Sequence, residues 1–194
     1  MKEENKEKIL LKIFKEIDKT YNANSLSKEL DLTSRGILKI LKSLKKENLL
    51  ISKKMGKSTF YKINLQDLYA RKTLEALLVK EANKQTGRWV EEFKPILQES
   101  EAVIIFGSII RNPEKANDID ILLIIKKDQY KKVSSLINEK NKVLTKKIHG
   151  IIMTLEDLKE NIKNNPAIKD SIKTGYVLHG HEKIVEVIKD VSSF

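Results

Sequence analysis

The chain has 194 residues, 40% of them hydrophobic, and a formal net charge of +11, which is enough for one ordinary domain or two small ones with their own cores. It contains no cysteine, and this excludes disulfides, thiolate catalysis and Cys-ligated zinc. No apolar run reaches the length that crosses a bilayer and the N-terminus lacks the apolar block of a secretory signal, so we expect a cytoplasmic, globular protein without a membrane partner.

The positive charge is concentrated in the first third of the chain. Residues 1–64 hold 16 Lys and Arg against 8 Asp and Glu, a net charge of +8, whereas residues 65–194 hold 22 against 19, a net charge of +3. Clustered cations gain affinity for nucleic acid by releasing the counterions condensed on its phosphates. The N-terminal segment is therefore expected to bind a polyanion, although solvated lysines on helix faces would produce the same excess.

The first elements are predicted to be two amphipathic helices. Apolar residues within Ile9–Ile17 recur at helical spacing, which predicts a first helix that ends near Thr20. Ser25 is placed to cap a short second helix, and a tight turn at Asp31 and Leu32 is expected to end it.

A third helix, capped by Thr33 or Ser34, is predicted to have two chemically different faces. One side is cationic and polar, and the apolar stripe on the opposite side consists of Ile37, Ile40, Leu41 and Leu44. A helix in the major groove of DNA needs this division, because one side is buried on its own domain while the other contacts bases and phosphates. The predicted DNA-binding residues on this helix are Ser34, Arg35, Lys39, Lys42, Ser43 and Lys46.

The following segment is predicted to form a two-stranded hairpin around a Met-Gly turn, with Lys53, Lys54 and Lys57 completing the DNA-binding set. Residues 25–63, in the order helix, turn, helix and basic hairpin, resemble the winged helix-turn-helix family of DNA-binding regulators. The resemblance implies double-stranded DNA as the partner and a role in transcription regulation. A winged helix used for protein contact or for homodimerisation is the alternative.

Residues 66–98 are predicted to form two core helices joined near Gly87. Leu68 begins the first apolar stripe, and Pro95 is expected to kink the second helix. Trp89 lies on the second stripe, where we interpret it as a packing residue rather than as a platform for a nucleic-acid base.

The stretch Ala102–Ile125 contains the residues that indicate chemistry. A buried strand runs into Gly107 and Ser108, and a second strand begins with Asp118 and Asp120, whose side chains share one face. Paired carboxylates on a rigid strand suit Mg²⁺, which takes oxygen ligands and is completed by the phosphates of a nucleotide. The glycine lets a phosphate approach the backbone, and the serine is expected to open a helix with free N–H groups.

This pattern, with nine residues between Ser108 and Asp118, resembles the signature of the DNA polymerase beta-like nucleotidyltransferase superfamily. Arg111 stands where small members, the minimal nucleotidyltransferases, often have arginine, which implies support for the loop or for a phosphate. The resemblance implies that Asp118 and Asp120 are catalytic ligands of Mg²⁺ and that Gly107, Ser108 and Arg111 bind an NTP. Because small relatives often act in toxin-antitoxin pairs, it also implies a protein partner as one acceptor. A solvated acidic strand end is the alternative.

The third carboxylate of the family pattern has no counterpart on the expected strand, Lys146–Met153, where His149 or Gly150 occupies the corresponding position. We interpret the histidine as a polar residue on a sheet face in preference to a catalytic group. Glu156 and Asp157 follow the strand and are expected to cap the next helix. The missing acid favours nucleotide binding over transfer, since that acid would serve as a metal ligand or as the base for the attacking hydroxyl.

These observations predict an α/β (α+β) protein with a winged helix-turn-helix domain at residues 1–64 and a small mixed-sheet nucleotidyltransferase-type domain at residues 65–194. Two functions are compatible with the residue pattern. One is a DNA-binding enzyme that transfers a nucleoside monophosphate from Mg-NTP to a hydroxyl acceptor. The other is a transcriptional regulator whose degenerate nucleotidyltransferase domain only binds nucleotide or mediates dimerisation.

Overall fold

The computed structural model of the chain describes residues 2–192. It is a mixed α/β structure, with three helices and a hairpin followed by a mixed four-stranded sheet and its helices. The described residues divide into two compact units, 2–77 with Ser192 and 78–191. No helix among them is both long enough and apolar enough to cross a membrane.

The N-terminal unit contains three helices, α1 Lys2–Lys15, α2 Ala23–Leu30 and α3 Ser34–Lys46. The apolar stripes read from the sequence meet here in one core, as predicted from their helical spacing. Its fully or almost fully buried members include Ile9, Ile13, Phe14, Leu26, Ile37, Leu41 and Leu44.

The ends of these helices differ in detail from the prediction. Helix α1 ends at Lys15 rather than near Thr20. Ser25 is not the N-cap of α2, because Asn22 takes that position and its side chain accepts a hydrogen bond of 2.9 Å from the Ser25 backbone N–H. The Ser25 hydroxyl in turn accepts from the Asn22 N–H at 3.0 Å, so the two residues form a capping box. Thr33 caps α3, as one of the two predicted alternatives.

Two antiparallel strands, β1 Leu50–Met55 and β2 Ser58–Ile63, form the predicted hairpin. The base of the hairpin is buried, since Leu50 pairs with Ile63 and both side chains belong to the core of the unit. The residues of the turn are exposed, which gives the hairpin one end anchored by packing and one end in solvent.

The region between hairpin and sheet is helical but does not follow the predicted boundaries. Helix α4 Leu68–Glu92 contains the division between the two units, with a non-helical residue at Thr86, beside the predicted junction at Gly87. The expectation that Pro95 kinks a helix is wrong, because it lies in the first turn of α5 Lys94–Gln98, where a missing N–H costs nothing. Leu68 is not a core residue either, since its side chain is 61% exposed.

The C-terminal unit is built on a sheet with strand order β5-β4-β3-β6. The central strands β3 and β4 are antiparallel, β6 is antiparallel to β3, and β5 is parallel to β4. The elements of this unit are β3 Ala102–Phe106, α6 Ser108–Arg111, β4 Asp118–Ile124, a short 3-10 turn Lys127–Gln129, α7 Tyr130–Val143, β5 Lys147–Met153, α8 Leu155–Asn161, α9 Pro166–Thr174, β6 Tyr176–His179 and α10 His181–Val191.

The burial of β4 explains why its first residues are available for function. Ile119, Ile121 and Leu123 point to the face covered by α5 and α7 and belong to one buried cluster. The other face is also fully buried at Leu122 and Ile124. Only the start of that second face is open, because Asp118 and Asp120 precede these residues and are half-buried.

Candidate functional site

The sheet register brings three possible metal ligands together at the start of β4. Asp118 and Asp120 lie two residues apart and therefore share a face of the strand. On one side Asp120 pairs with Phe106 at the end of β3, and on the other it pairs with His149 of β5. One ligand atom from each of Asp118, Asp120 and His149 lies within 4.8 Å of the other two.

His149 thus lies opposite Asp120, at one of the two positions of β5 where a third carboxylate is expected and absent. Its Nδ1 lies 3.4 Å from Oδ1 of Asp120, and its side chain is 76% exposed while that of Asp120 is 23% exposed. The neighbouring candidate, Gly150, pairs with Ile121, and a side chain there would meet Leu123 on the core face. The register therefore selects the histidine and excludes the glycine from this site.

Gly107 is required by the position of Asp120. Its φ is +79°, a conformation that L side chains rarely adopt, and a Cβ built on it would lie 2.1 Å from Oδ2 of Asp120. The carboxylate therefore occupies the space that any other residue at position 107 would fill. The reason expected from the sequence pattern was a different one, the approach of a phosphate to the backbone, and that reason stays a prediction.

The other two residues predicted to bind nucleotide lie on the short helix after Gly107. Ser108 is the first residue of α6, as predicted, and is half-buried. Arg111 is the last residue of α6 and is exposed. With only four residues, α6 has free backbone N–H groups in its first turn but little aligned dipole, so an anion at this end would also need side chains as ligands.

Two residues that the sequence pattern did not single out fix the surroundings of this site. Lys146 donates from Nζ to the backbone carbonyls of Pro113 and Ala116, at 2.6 Å for the latter, and so ties down the loop that leads into Asp118. Asn141 accepts from the Ile148 N–H at 2.7 Å and donates to the carbonyl of the same residue at 3.3 Å. Side-chain hydrogen bonds to backbone groups of this kind cannot be predicted from the sequence, because every residue has a carbonyl group.

Of the two acids that follow β5, Asp157 has a structural role. Asp157 accepts hydrogen bonds from the Thr154 N–H at 2.9 Å and from its hydroxyl at 2.8 Å, and the Thr154 hydroxyl accepts from the Asp157 N–H. These hydrogen bonds lower the pKa of Asp157. Asp157 takes part in the capping of α8, as predicted, with Thr154 as the N-cap, and it is not one of the three possible metal ligands.

The predicted DNA-binding cations lie on one exposed stripe of α3. Arg35, Lys39, Lys42 and Lys46 are all exposed, whereas Ile37, Leu41 and Leu44 on the opposite face are fully buried. The hairpin adds Lys53, Lys54 and Lys57, which are also exposed.

The two predicted DNA-binding serines have hydrogen-bond partners inside the N-terminal unit. The hydroxyl oxygens of Ser27 and Ser34 share a hydrogen bond of 2.8 Å that links α2 to α3. Ser43 donates to Glu47 at 2.7 Å, and the same carboxylate accepts from Lys6 at 2.8 Å. A DNA contact by either serine would have to compete with these hydrogen bonds, so the cations are the stronger candidates.

Comparisons of the chain with protein-family models, with curated proteins and with solved structures gave no match. The functional assignment therefore depends on the geometry and chemistry of the residues described above.

Proposed function

We propose that the C-terminal unit is a metal-dependent nucleotidyltransferase domain that transfers a nucleoside monophosphate from an NTP to a hydroxyl acceptor. The observation that carries this proposal is the grouping of Asp118 and Asp120 on one face at the start of β4, against the backbone of Gly107. This grouping matches the pattern on which the resemblance to the DNA polymerase beta-like superfamily rests.

The residues present fit a divalent cation. Two half-buried carboxylates offer oxygen ligands from a strand that packing holds rigid, and carboxylate oxygens are the ligands that Mg²⁺ and Mn²⁺ prefer. When bound, the cation neutralises part of the negative charge on the phosphates of the nucleotide.

The roles of the remaining residues follow from their positions. Ser108 offers a hydroxyl and a backbone N–H to the triphosphate, and exposed Arg111 offers a guanidinium that matches the geometry of a phosphate. The acceptor oxygen attacks the α-phosphorus, the bond from that phosphorus to the bridging oxygen breaks, and pyrophosphate leaves. The proton of the hydroxyl passes to water.

A second candidate function is favoured by His149 in the place of a third acid. In this case the unit is degenerate, and binds metal and nucleotide as a regulatory ligand without transferring it. A domain of this kind retains the ligands for the cation but lacks the group that assists the attacking hydroxyl, whose contribution is typically about 10²- to 10⁴-fold in rate.

For the N-terminal unit we propose a winged helix-turn-helix that binds double-stranded DNA in the context of transcription regulation. Helix α3 supports the proposal because its buried face and its row of cations are cleanly separated. The hairpin presents further lysines where a wing contacts phosphates. Protein contact or homodimerisation through the same surface is the competing outcome, and it predicts affinity for a protein in place of DNA.

Calorimetry with Mg-NTP and Mn-NTP tests the C-terminal proposal directly. Asp120→Asn should weaken binding at least about 10-fold, since even changes behind a metal ligand cost about 10- to 100-fold. Asp128→Asn is the matched control, because Asp128 is an exposed acid of the same unit that lies outside the ligand group of Asp118, Asp120 and His149. Equal affinity in Asp120→Asn and in the parent would rule out the assigned site.

Labelled NTPs offered with hydroxyl acceptors, a toxin-like partner protein among them, separate the two candidate functions. Release of pyrophosphate together with labelling of an acceptor supports the enzyme. Binding of metal and nucleotide without release of pyrophosphate supports the regulatory alternative.

A further inference from the structure

We infer that His149 is the third metal ligand of this site and that it makes the site select Mn²⁺ over Mg²⁺. The inference rests on the proposed function only in requiring that Asp118 and Asp120 bind a cation. It adds a ligand and a metal preference that two carboxylates alone would not produce.

The distance between His149 and Asp120 suits a shared ion better than a direct hydrogen bond. Nδ1 of His149 lies 3.4 Å from Oδ1 of Asp120, whereas a charge-assisted N–H···O hydrogen bond is usually about 2.7–2.9 Å long. Two ligand atoms that each lie about 2.1 Å from one ion are separated by about 3.0–3.4 Å when the angle between their two bonds at the ion is between a right angle and the tetrahedral angle. The separation of these two atoms is therefore in the range that a common ion requires.

The backbone that carries His149 is held in place, whereas its ring is accessible. Strand β5 pairs with β4 along its whole length, and Asn141 binds both backbone groups of Ile148 next to the histidine. The histidine side chain is nevertheless 76% exposed. Packing among core residues therefore does not explain the position of the ring, while the fixed strand keeps it beside the two carboxylates.

The chemistry of the three ligands sets the metal preference. Mg²⁺ is a hard cation that takes oxygen ligands and keeps several of its waters, so an imidazole adds little to its affinity. Mn²⁺ shares the preference of Mg²⁺ for carboxylate oxygen and stands at the weak end of the first-row series. As a softer transition-metal ion, however, it accepts an imidazole nitrogen more readily than Mg²⁺ does. An imidazole in place of a third carboxylate also removes one negative charge, which lowers the electrostatic attraction for either dication. The bond to the imidazole nitrogen then decides between the two ions, and this favours Mn²⁺.

The test measures binding of the metal alone to the full chain, without nucleotide. Titration of Mn²⁺, followed by the electron paramagnetic resonance of the free ion, gives its affinity, and competition with Mg²⁺ gives the ratio of the two affinities. His149→Ala should weaken Mn²⁺ binding about 10-fold and leave Mg²⁺ within about 2-fold. His149→Asp should raise Mg²⁺ affinity and reduce the preference for Mn²⁺ about 10-fold. His179→Ala is the matched control, because His179 is an exposed histidine of the same unit outside the ligand group.

A spectroscopic measurement identifies the ligand itself. Electron spin-echo spectra of the Mn²⁺-loaded parent should show modulation from a coordinated ¹⁴N nucleus, and this modulation should vanish in His149→Ala and His149→Asp but persist in His179→Ala. A histidine that only supports the fold would not produce this signal.

The outcomes separate this inference from the proposed function. If Asp120→Asn abolishes Mn²⁺ binding while both His149 variants keep the ¹⁴N modulation or the parental Mn²⁺ to Mg²⁺ ratio, the carboxylate site stands and the role of His149 is refuted. If the parent binds neither ion alone but binds Mg-NTP in the calorimetry, the inference fails and the proposed function stands. If it binds neither the free ions nor Mg-NTP, both fail.

Discussion

The cationic stripe of α3 and the Asp118, Asp120 and His149 group differ in how much of the fold each one needs. The stripe comes from a single helix, because residues at positions 35, 39, 42 and 46 share one side of any α-helix. The ligand group joins residues of two strands, with Asp120 and His149 separated by 29 positions in the chain. The proposed binding of a polyanion should therefore tolerate local change, whereas the proposed binding of a metal should depend on the register of one strand pair.

The largest expected effect comes from adding a single methyl group beside Asp120. Gly107→Ala places a Cβ 2.1 Å from Oδ2 of Asp120 and requires a φ of +79° from a residue with a side chain. We expect loss of metal binding and a decrease of about 2–4 kcal/mol in the free energy of unfolding of the C-terminal unit. Mn²⁺ titration and urea denaturation followed by Trp89 fluorescence measure the two effects.

Gly87→Ala is the control for this change, because a Cβ added there would meet no neighbouring side chain within 4 Å. It should leave metal affinity unchanged and raise helix stability by no more than about 1 kcal/mol. Parental metal affinity in Gly107→Ala would show that the position of Asp120 does not depend on the glycine.

The second prediction concerns a buried network of charged side chains in the N-terminal unit. Glu16 is buried, and its carboxylate binds Lys12, Lys19 at 2.7 Å and the Tyr21 hydroxyl at 2.8 Å. Burial alone would raise the pKa of Glu16, but these three donors outweigh it and lower the pKa to about 2. Glu16→Gln should decrease the free energy of unfolding at pH 7 by about 2–3 kcal/mol, because it removes a buried charged acceptor from a network in which Lys12 and Lys19 also pair with Glu29.

The pH dependence of this effect has a definite sign. Because folding lowers the pKa of Glu16 from 4.5 to about 2, its contribution is present in full above about pH 4.5 and is lost as the pH falls towards 2. Amide hydrogen exchange of α1 and α2 between pH 7 and pH 3 measures this loss, which should be much smaller in Glu16→Gln. Glu47→Gln is the control, since the Glu47 pair with Lys6 is partly exposed and worth at most about 1 kcal/mol. Equal stabilities of the two variants would contradict the prediction.

The smallest effect is expected from the cationic stripe, where each side chain contributes separately. Arg35→Ala combined with Lys39→Ala should weaken DNA binding about 10-fold and reduce the slope of log affinity against log salt by about 0.9 for each phosphate that is no longer neutralised. Lys53→Ala with Lys54→Ala should weaken binding equally for all DNA sequences, because phosphates are common to every sequence. Fluorescence anisotropy with labelled duplexes at several salt concentrations measures both changes.

A matched control removes the same charge from the other unit. Lys127→Ala with Lys131→Ala deletes two exposed lysines of the C-terminal unit and should leave DNA affinity within about 2-fold. A folded Arg35, Lys39 double variant that binds DNA as the parent does would refute the assignment of α3 as the recognition helix.

Much of the secondary structure was predictable because it depends on local periodicity. The buried strand at Ala102–Phe106 and the apolar side of α3 were predicted from the spacing of their own residues, and the structure confirms both. The errors fall where two local signals compete. Asn22 and Ser25 are both good caps and lie three residues apart, and Pro95 suits the first turn of a helix as well as a kink.

Those parts of the candidate site that lie close together in the chain were predictable from the amino-acid sequence. Gly107 and Ser108 follow a strand, and Asp118 and Asp120 share a face of the next one, because the alternation of a strand fixes the directions of neighbouring side chains. The cations of α3 were likewise predictable on one side of the helix, since helical periodicity is a local property.

The residue opposite Asp120, in contrast, follows from tertiary packing. A shift of β5 by one residue would turn His149 to the core face and bring Gly150 beside the acids, and both registers agree with the residue pattern. The packing of α7 on β5 and the hydrogen bonds between Asn141 and Ile148 belong to the arrangement observed. These contacts join residues of different elements, and no local pattern specifies them.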